Sequence, residues 1–147
     1  MKKVLFFITM SLFAYANTPD ISELMDHAIQ AQQRSYSPYS HYRVGAALVT
    51  KSGKVFTGCN VENASYGVAL CAERTAVFKA VSEGEKDIVA IVIVTRDGGM
   101  SCGACRQVLN EFNPETRVIA IDEQKKIHHD TTLDQILPLA FGPGNLQ

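Results

Sequence analysis

The 147-residue chain has no tryptophan, no basic run longer than the pairs Lys2-Lys3 and Lys125-Lys126, and no cysteine-dense framework. Each absence removes a class of function. The formal net charge is -1. Without a basic face there is little to neutralise a phosphate backbone, which disfavours DNA or RNA as a partner. Four cysteines do not make a disulfide scaffold at this length, although two disulfides remain open by count. The apolar run Val4 to Phe13 falls well short of the roughly 20 residues that a membrane-spanning helix needs, so no stable membrane anchor is expected. Dithiol redox motifs of the thioredoxin type usually carry a tryptophan before the first cysteine. Its absence counts against redox chemistry at Cys102-Gly103-Ala104-Cys105.

What remains is an ordinary globular balance, 46% apolar and 20% charged, in a length that suits one domain with a real core. The N-terminus stands apart. Lys2-Lys3, the apolar run and Ala14-Tyr15-Ala16 are the three parts of a secretory signal peptide. Residues 1–16 are therefore expected to be a signal and 17–147 the folded domain, secreted or periplasmic. The alternative is an N-terminal helix packed on the domain.

From Asp20 onward the pattern alternates α and β. Asp20 is placed to cap a helix running to about Arg34, and Ser37-Pro38 breaks it. Val44 to Thr50 and Val55 to Cys59 read as strands joined by the Ser52-Gly53 turn. A helix is expected over Ala72 to Ser82, with Gly84 as its stop. Ile88 to Val94 is a continuous β-branched run, the mark of a strand covered on both faces. Gly103 to Phe112 reads as helix and Arg117 to Ile121 as strand. A short partner strand begins at Ile127, and a short helix spans Thr132 to Leu137. The sum is a mixed sheet of about five strands with helices packed on it. The adjacent Gly98 and Gly99 point to a flexible loop from Arg96 to Met100.

The residues that carry chemistry are Cys71-Ala72-Glu73 and Cys102-Gly103-Ala104-Cys105. One thiol plus a C-x-x-C pair supplies three zinc ligands. A tetrahedral zinc with three protein ligands keeps a position open for water, the catalytic arrangement. Both motifs fall at helix starts, where the helix dipole favours thiolates. Three thiolates and Zn²⁺ sum to one negative charge, so a cation should stand nearby. Arg74, three residues after Cys71, is the candidate to donate to a ligand sulfur; Arg106 follows Cys105. Glu73, two residues from the first thiol, is placed to move the water's proton.

At this point the chain resembles a known family. Cys71-Ala72-Glu73-Arg74-Thr75-Ala76 and Cys102-Gly103-Ala104-Cys105-Arg106-Gln107 are similar to the motifs of homotetrameric, zinc-dependent cytidine deaminases. So are Tyr39 to Leu48, Gly58 to Ala64, and the tail Leu137 to Pro143. The resemblance implies a three-layer α/β/α sandwich on a mixed five-stranded sheet. It implies hydrolytic deamination of cytidine and 2′-deoxycytidine to uridine and 2′-deoxyuridine, in pyrimidine salvage. Cys71, Cys102 and Cys105 would bind one zinc per subunit, zinc-bound hydroxide would attack C4, and Glu73 would shuttle protons. Asn60 and Glu62 match a ribose-binding pair. Tyr42, at a position often occupied by phenylalanine, would lie against the pyrimidine. Ala72, Tyr66 and Phe141 would complete the substrate contacts, the two aromatics across subunit boundaries of a homotetramer. Arg74 and Gln107 would stand beside the ligands, and Cys59 matches a buried cysteine that is not one.

Besides the glycine-bearing loop from Arg96 to Met100, two features depart from the family pattern. Ser101 stands where proline is usual, and the signal-like N-terminus is unusual for a family best known from the cytoplasm. Three rival readings stay open. Cys102 and Cys105 could serve a thiol–disulfide oxidoreductase, which would leave Cys71 to Arg74 unexplained. Cys59 could be the fourth ligand of a purely structural zinc module. The substrate could be another small aminated heterocycle, such as the aminonucleoside blasticidin S.

Overall fold

Side-chain alternation along three central strands decides the architecture. In the computed structural model, which describes residues 20–146, five strands form one sheet in the order β2-β1-β3-β4-β5. They are β1 (Gly45–Thr50), β2 (Val55–Cys59), β3 (Ile88–Val94), β4 (Arg117–Ile121) and β5 (Ile127–Thr132). The helices are α1 (Ile21–Gln32), α2 (Ala72–Ser82), α3 (Gly103–Asn110) and the single turn α4 (Leu133–Ile136). The expected signal, residues 1–16, lies outside the described residues. No helix among those described is long and apolar enough to cross a membrane.

β1 runs antiparallel to both neighbours, β3 and β4 are parallel, and β5 returns antiparallel. The sheet is therefore mixed. Successive strand residues face opposite ways. Ala47, Val49, Val92, Val94, Ile119 and Ile121 meet Leu24, Met25 and Ala28 of α1. Ala46, Leu48, Ile91, Ile93 and Val118 meet Ala72, Ala76, Val77 and Ala80 of α2 and Leu109 of α3. One helix covers one face and two cover the other, giving the three-layer sandwich. All of β1, and β3 apart from Val89, is buried, which is why the Ile88–Val94 run carries no polar alternation.

Helix α2 sits unusually close to the sheet. A Cβ at Gly58 would lie 2.4 Å from the Ala72 carbonyl oxygen and 2.5 Å from the Ala76 nitrogen. Glycine on β2 thus sets how near the start of α2, and Cys71 with it, can come to the sheet. At the opposite edge, β5 is mostly exposed. It carries His128, His129 and Asp130, and Arg117 of β4 grips Asp130 with two hydrogen bonds of 2.8 and 2.7 Å.

Three local expectations differ from the structure. Asp20 occupies the cap position of α1 but makes no side-chain capping bond. Helix α3 ends at Asn110 rather than Phe112, because the chain turns there and the Asn113 side chain donates to the Ile88 carbonyl at 2.8 Å. The Arg96–Met100 loop is not loose. Asp97 accepts from Thr95 and Tyr42, and the Gly99 amide is bonded as well.

Candidate functional site

Cys71 is the cap residue of α2, Cys102 is the cap residue of α3, and Cys105 lies in the first turn of α3. Neither cap thiol bonds its own helix end, so both sulfurs are available for other partners. The two helix starts bring the three Sγ atoms within 4.8 Å of one another. Cys102 Sγ and Cys105 Sγ are 3.5 Å apart. Tetrahedral zinc with bonds of about 2.3 Å to sulfur separates its thiolates by roughly 3.8 Å, so the donor set fits this ion. The Cys71 thiol is held down to about 5; the neighbouring Cys105 thiol is the main cause and Arg74 adds to it. Cys105 is pushed up, first by its hydrogen-bonding partner Cys71 and then by burial. The cluster already prefers a thiolate.

Arg74 Nη2 donates to Cys71 Sγ at 3.4 Å. Its Nε is the one buried side-chain polar atom without a partner among the described residues. The other nearby cation, Arg106, is spent elsewhere: it donates to the Ser101 carbonyl and to the Ile136 carbonyl, each at 2.9 Å. Arg106 thus braces the turn that presents Cys102, and Ser101 is buried within that turn. Glu73, in the first turn of α2, is only 4% exposed. Burial pushes its carboxyl above the ordinary range.

These groups open on a cavity of about 510 Å³ lined by Cys71, Cys102, Glu73 and Arg74 together with Tyr42, Asn60, Glu62 and Tyr66. The Asn60 carboxamide is largely committed. Its oxygen accepts from the Val44 amide at 2.9 Å and from the Ser35 hydroxyl at 2.5 Å, and its nitrogen donates to the Tyr42 carbonyl at 2.8 Å. The Glu62 carboxylate accepts from the Tyr39 and Ser40 amides at 2.9 and 3.2 Å and from the Ser40 hydroxyl. That hydroxyl is the first cause holding the Glu62 carboxyl below its usual range. Three of about four acceptor positions on Glu62 are filled, and one N–H of Asn60 is left over.

Other residues singled out from the sequence lie differently. Ala72 is fully buried at the start of α2 and its side chain packs in the core. Phe141 does not line this cavity; it is 59% exposed, and its carbonyl accepts from Gln107 at 2.8 Å. Gln107 therefore ties α3 to the C-terminal segment. Cys59 is half-buried, donates to the Arg34 carbonyl at 3.4 Å and takes no part in the thiol cluster. It supplies no fourth ligand. Ser40, Thr95 and Met100 also line the cavity. Ser40 falls within the Tyr39 to Leu48 block without having been singled out, and Thr95 and Met100 belong to no motif.

A five-stranded mixed sheet with a trithiol cluster at two helix starts and a buried glutamate beside it defines a metal-site enzyme fold. Comparison with known proteins narrows the class. Residues 18–121 match the model of the cytidine and deoxycytidylate deaminase zinc-binding region. A cytidine deaminase of Halalkalibacterium halodurans is 47% identical over 124 residues, covering 83% of this chain and 94% of that protein. A probable cytidine deaminase of Dictyostelium discoideum is 43% identical over 133 residues, covering 88% and 89%. The crystal structure of cytidine deaminase from Burkholderia pseudomallei superposes with a TM-score of 0.79 at 44% identity, covering 84% of this chain and 100% of that one. The chain belongs to the cytidine and deoxycytidylate deaminase family.

Proposed function

We propose that this protein hydrolytically deaminates cytidine and 2′-deoxycytidine, giving uridine and 2′-deoxyuridine with release of ammonia. The observation that carries the reading is the trithiol cluster, its sulfurs within 4.8 Å of one another, opening with Glu73 on a cavity that also takes Asn60 and Glu62. Relatives named cytidine deaminase that match most of both chains support it.

In this reading Cys71, Cys102 and Cys105 hold one zinc per subunit. When bound, zinc supplies a Lewis acid that makes water nucleophilic near neutral pH. Arg74 offsets the thiolate charge by donating to Cys71. Glu73 accepts a proton from the water that adds at C4, then delivers protons to N3 and to the departing amino group. The C4–O bond forms, the C4–N4 bond breaks and ammonia leaves. A positioned carboxylate in this role contributes about 10²–10⁴-fold in rate.

The sugar is read by what Asn60 and Glu62 have left: one N–H and one acceptor position. A single hydroxyl can accept from the first and donate to the second. The 3′-hydroxyl, present in ribose and 2′-deoxyribose alike, satisfies both, which is why both nucleosides are proposed substrates. Tyr42 forms the aromatic wall beside the base. Tyr66 lines this chain's own cavity, whereas Phe141, 59% exposed and outside it, is proposed to complete a neighbouring site in a homotetramer. The exposed side chains of Val68, Leu139 and Leu146 supply apolar surface for such an assembly. The segment 1–16 is proposed to be cleaved on export; an intact mass retaining Met1 to Ala16 in protein from the native host rules this out.

The deciding experiment follows the loss of ultraviolet absorbance with cytidine, 2′-deoxycytidine and 2′,3′-dideoxycytidine, alongside elemental analysis for zinc. The first two should turn over. The third, lacking the hydroxyl that pairs with the remaining Asn60 N–H and Glu62 acceptor position, should lose roughly tenfold or more in kcat/KM. A full zinc site with no ammonia released rejects the reading in favour of a structural metal. A zinc-free protein with disulfide reductase activity rejects it in favour of redox chemistry.

A further inference from the structure

Tyr42 and the loop after β3 are far apart in sequence, yet they share one hydrogen-bond system beside the cavity. The Tyr42 hydroxyl donates to Asp97 Oδ1 at 2.5 Å. The Thr95 hydroxyl donates to the same oxygen at 3.0 Å, and the Gly99 amide donates to Thr95 Oγ1 at 2.6 Å. Thr95 is buried and fixed to the sheet through its own amide, which donates to the Ile121 carbonyl at 3.2 Å. The Arg96 guanidinium carbon lies 5.1 Å from the centre of the Tyr42 ring, within range of a cation–π contact. A Cβ at Gly99 would come 2.7 Å from the Tyr42 hydroxyl, so glycine is what leaves room for it. Tyr42, Thr95, Gly99 and Met100 line the cavity, while Asp97 does not.

We propose that Asp97 is a positioning residue for the substrate cavity, acting through the Tyr42 hydroxyl. Their shared hydrogen bond fixes the Tyr42 ring as one wall and pins the Arg96–Met100 loop beside it. A phenyl ring at this position would have no hydroxyl for the loop to hold. A tyrosine without Asp97 would have a hydroxyl but no charged acceptor. With both, wall and loop are set before the ligand arrives, and less ordering is left for binding to supply. Asp97 keeps its charge and Tyr42 keeps its proton: the Tyr42 hydrogen bond pulls the Asp97 carboxyl down, and burial followed by Asp97 pushes the phenol up. The bond therefore has a charged acceptor, the stronger kind.

The inference rests on the cavity being the nucleoside site, so its test includes a measurement that needs no nucleoside. Wild type, Tyr42→Phe, Asp97→Ala, Asp97→Asn and the Tyr42→Phe/Asp97→Ala double variant are compared in three ways: kcat and KM with cytidine, calorimetric Kd for uridine, and amide exchange of the peptide spanning Arg96 to Met100. Tyr42→Phe and Asp97→Ala should each raise KM and the uridine Kd roughly three- to tenfold with kcat changed less than about twofold. The double variant should be no worse than Asp97→Ala alone, since that change already removes the Tyr42–Asp97 bond along with the Thr95 one. Asp97→Asn, which keeps an acceptor oxygen, should recover most of the loss. Exchange in the loop should quicken in Tyr42→Phe and Asp97→Ala. Additive losses in the double variant, or unchanged KM with unchanged exchange, overturn the proposal. If wild type neither deaminates cytidine nor binds uridine, the nucleoside reading falls. The exchange comparison then still judges the link between Tyr42 and the loop.

Discussion

Arg74 Nη2 stands 3.4 Å from the Cys71 sulfur, a contact made within one turn of α2. The same turn therefore supplies a thiol, a cation to hold its charge and, at Glu73, a buried carboxylate. Partners that hydrogen-bond to metal ligands typically change metal affinity or activity by about 10–100-fold when removed. Arg74→Ala is expected to weaken zinc binding by that order in a chelator competition assay, with a parallel fall in turnover. Unchanged affinity and unchanged turnover together would refute the role.

Glu73→Gln keeps the size and burial of the side chain but removes its capacity to take a proton. It should retain stoichiometric zinc and lose about 10²–10⁴-fold in kcat. Near wild-type turnover in a zinc-replete variant would exclude Glu73 as the proton carrier.

Asn60 has a structural duty besides its proposed contact with the sugar. Asn60→Ala frees the Val44 amide, the Tyr42 carbonyl and the Ser35 hydroxyl in a partly buried region. We expect a loss of about 1–3 kcal/mol in denaturant unfolding together with a raised KM. A variant with raised KM and full stability would mean that these bonds contribute nothing to the fold.

Gly58→Ala tests how closely α2 must sit on the sheet. The added methyl meets backbone atoms of Ala72 and Ala76, which cannot swing aside as a flexible side chain would. Destabilisation of about 1–3 kcal/mol and weaker zinc binding are expected, because Cys71 moves with the helix start. Normal zinc affinity in this variant would show that the cluster tolerates the shift.

Acid should weaken the β4–β5 pairing in a specific way. The Arg117 guanidinium holds the Asp130 carboxyl below its ordinary value of 3.8. A carboxyl depressed in the folded state stabilises fully above its unfolded pKa and loses that contribution as pH falls through its folded pKa. The pair is largely exposed, so it is worth at most about 1 kcal/mol. The Tm gap between wild type and Asp130→Asn should be present at pH 6 and close as pH drops below the ordinary aspartate value. A gap that persists at pH 2 would assign the effect to something other than charge.

Much of this was legible in the chain because its signals are local. Ile88–Val94 announces a doubly covered strand by composition, and its bounds agree with the structure. Cys71-Ala72-Glu73-Arg74 and Cys102 to Cys105 carry their geometry in their spacing. What could not be read is what depends on tertiary approach. Tyr42 and Asp97 are 55 positions apart and in no common motif, so two glycines suggested looseness where the fold supplies a link. The commitment of Asn60 to three partners was hidden for the same reason. Arg74 was singled out by its place one turn after Cys71, but nothing beside Cys105 foretold the partners of Arg106: the packing of α4 against α3 draws it to Ile136.

The exposed final strand has a consequence for the protein in concentrated solution. A sheet edge is a row of unpaired amides and carbonyls, ready to template another chain. Here that edge is six residues long and carries two histidines and an aspartate. The register shifts where Ala120 and Ile121 face it. A second molecule trying to extend the sheet would meet charge, irregular spacing and too few residues to zip along. Substituting His128, His129 and Asp130 with valines would leave the thiol cluster untouched and convert this edge into a nucleus for insoluble aggregates.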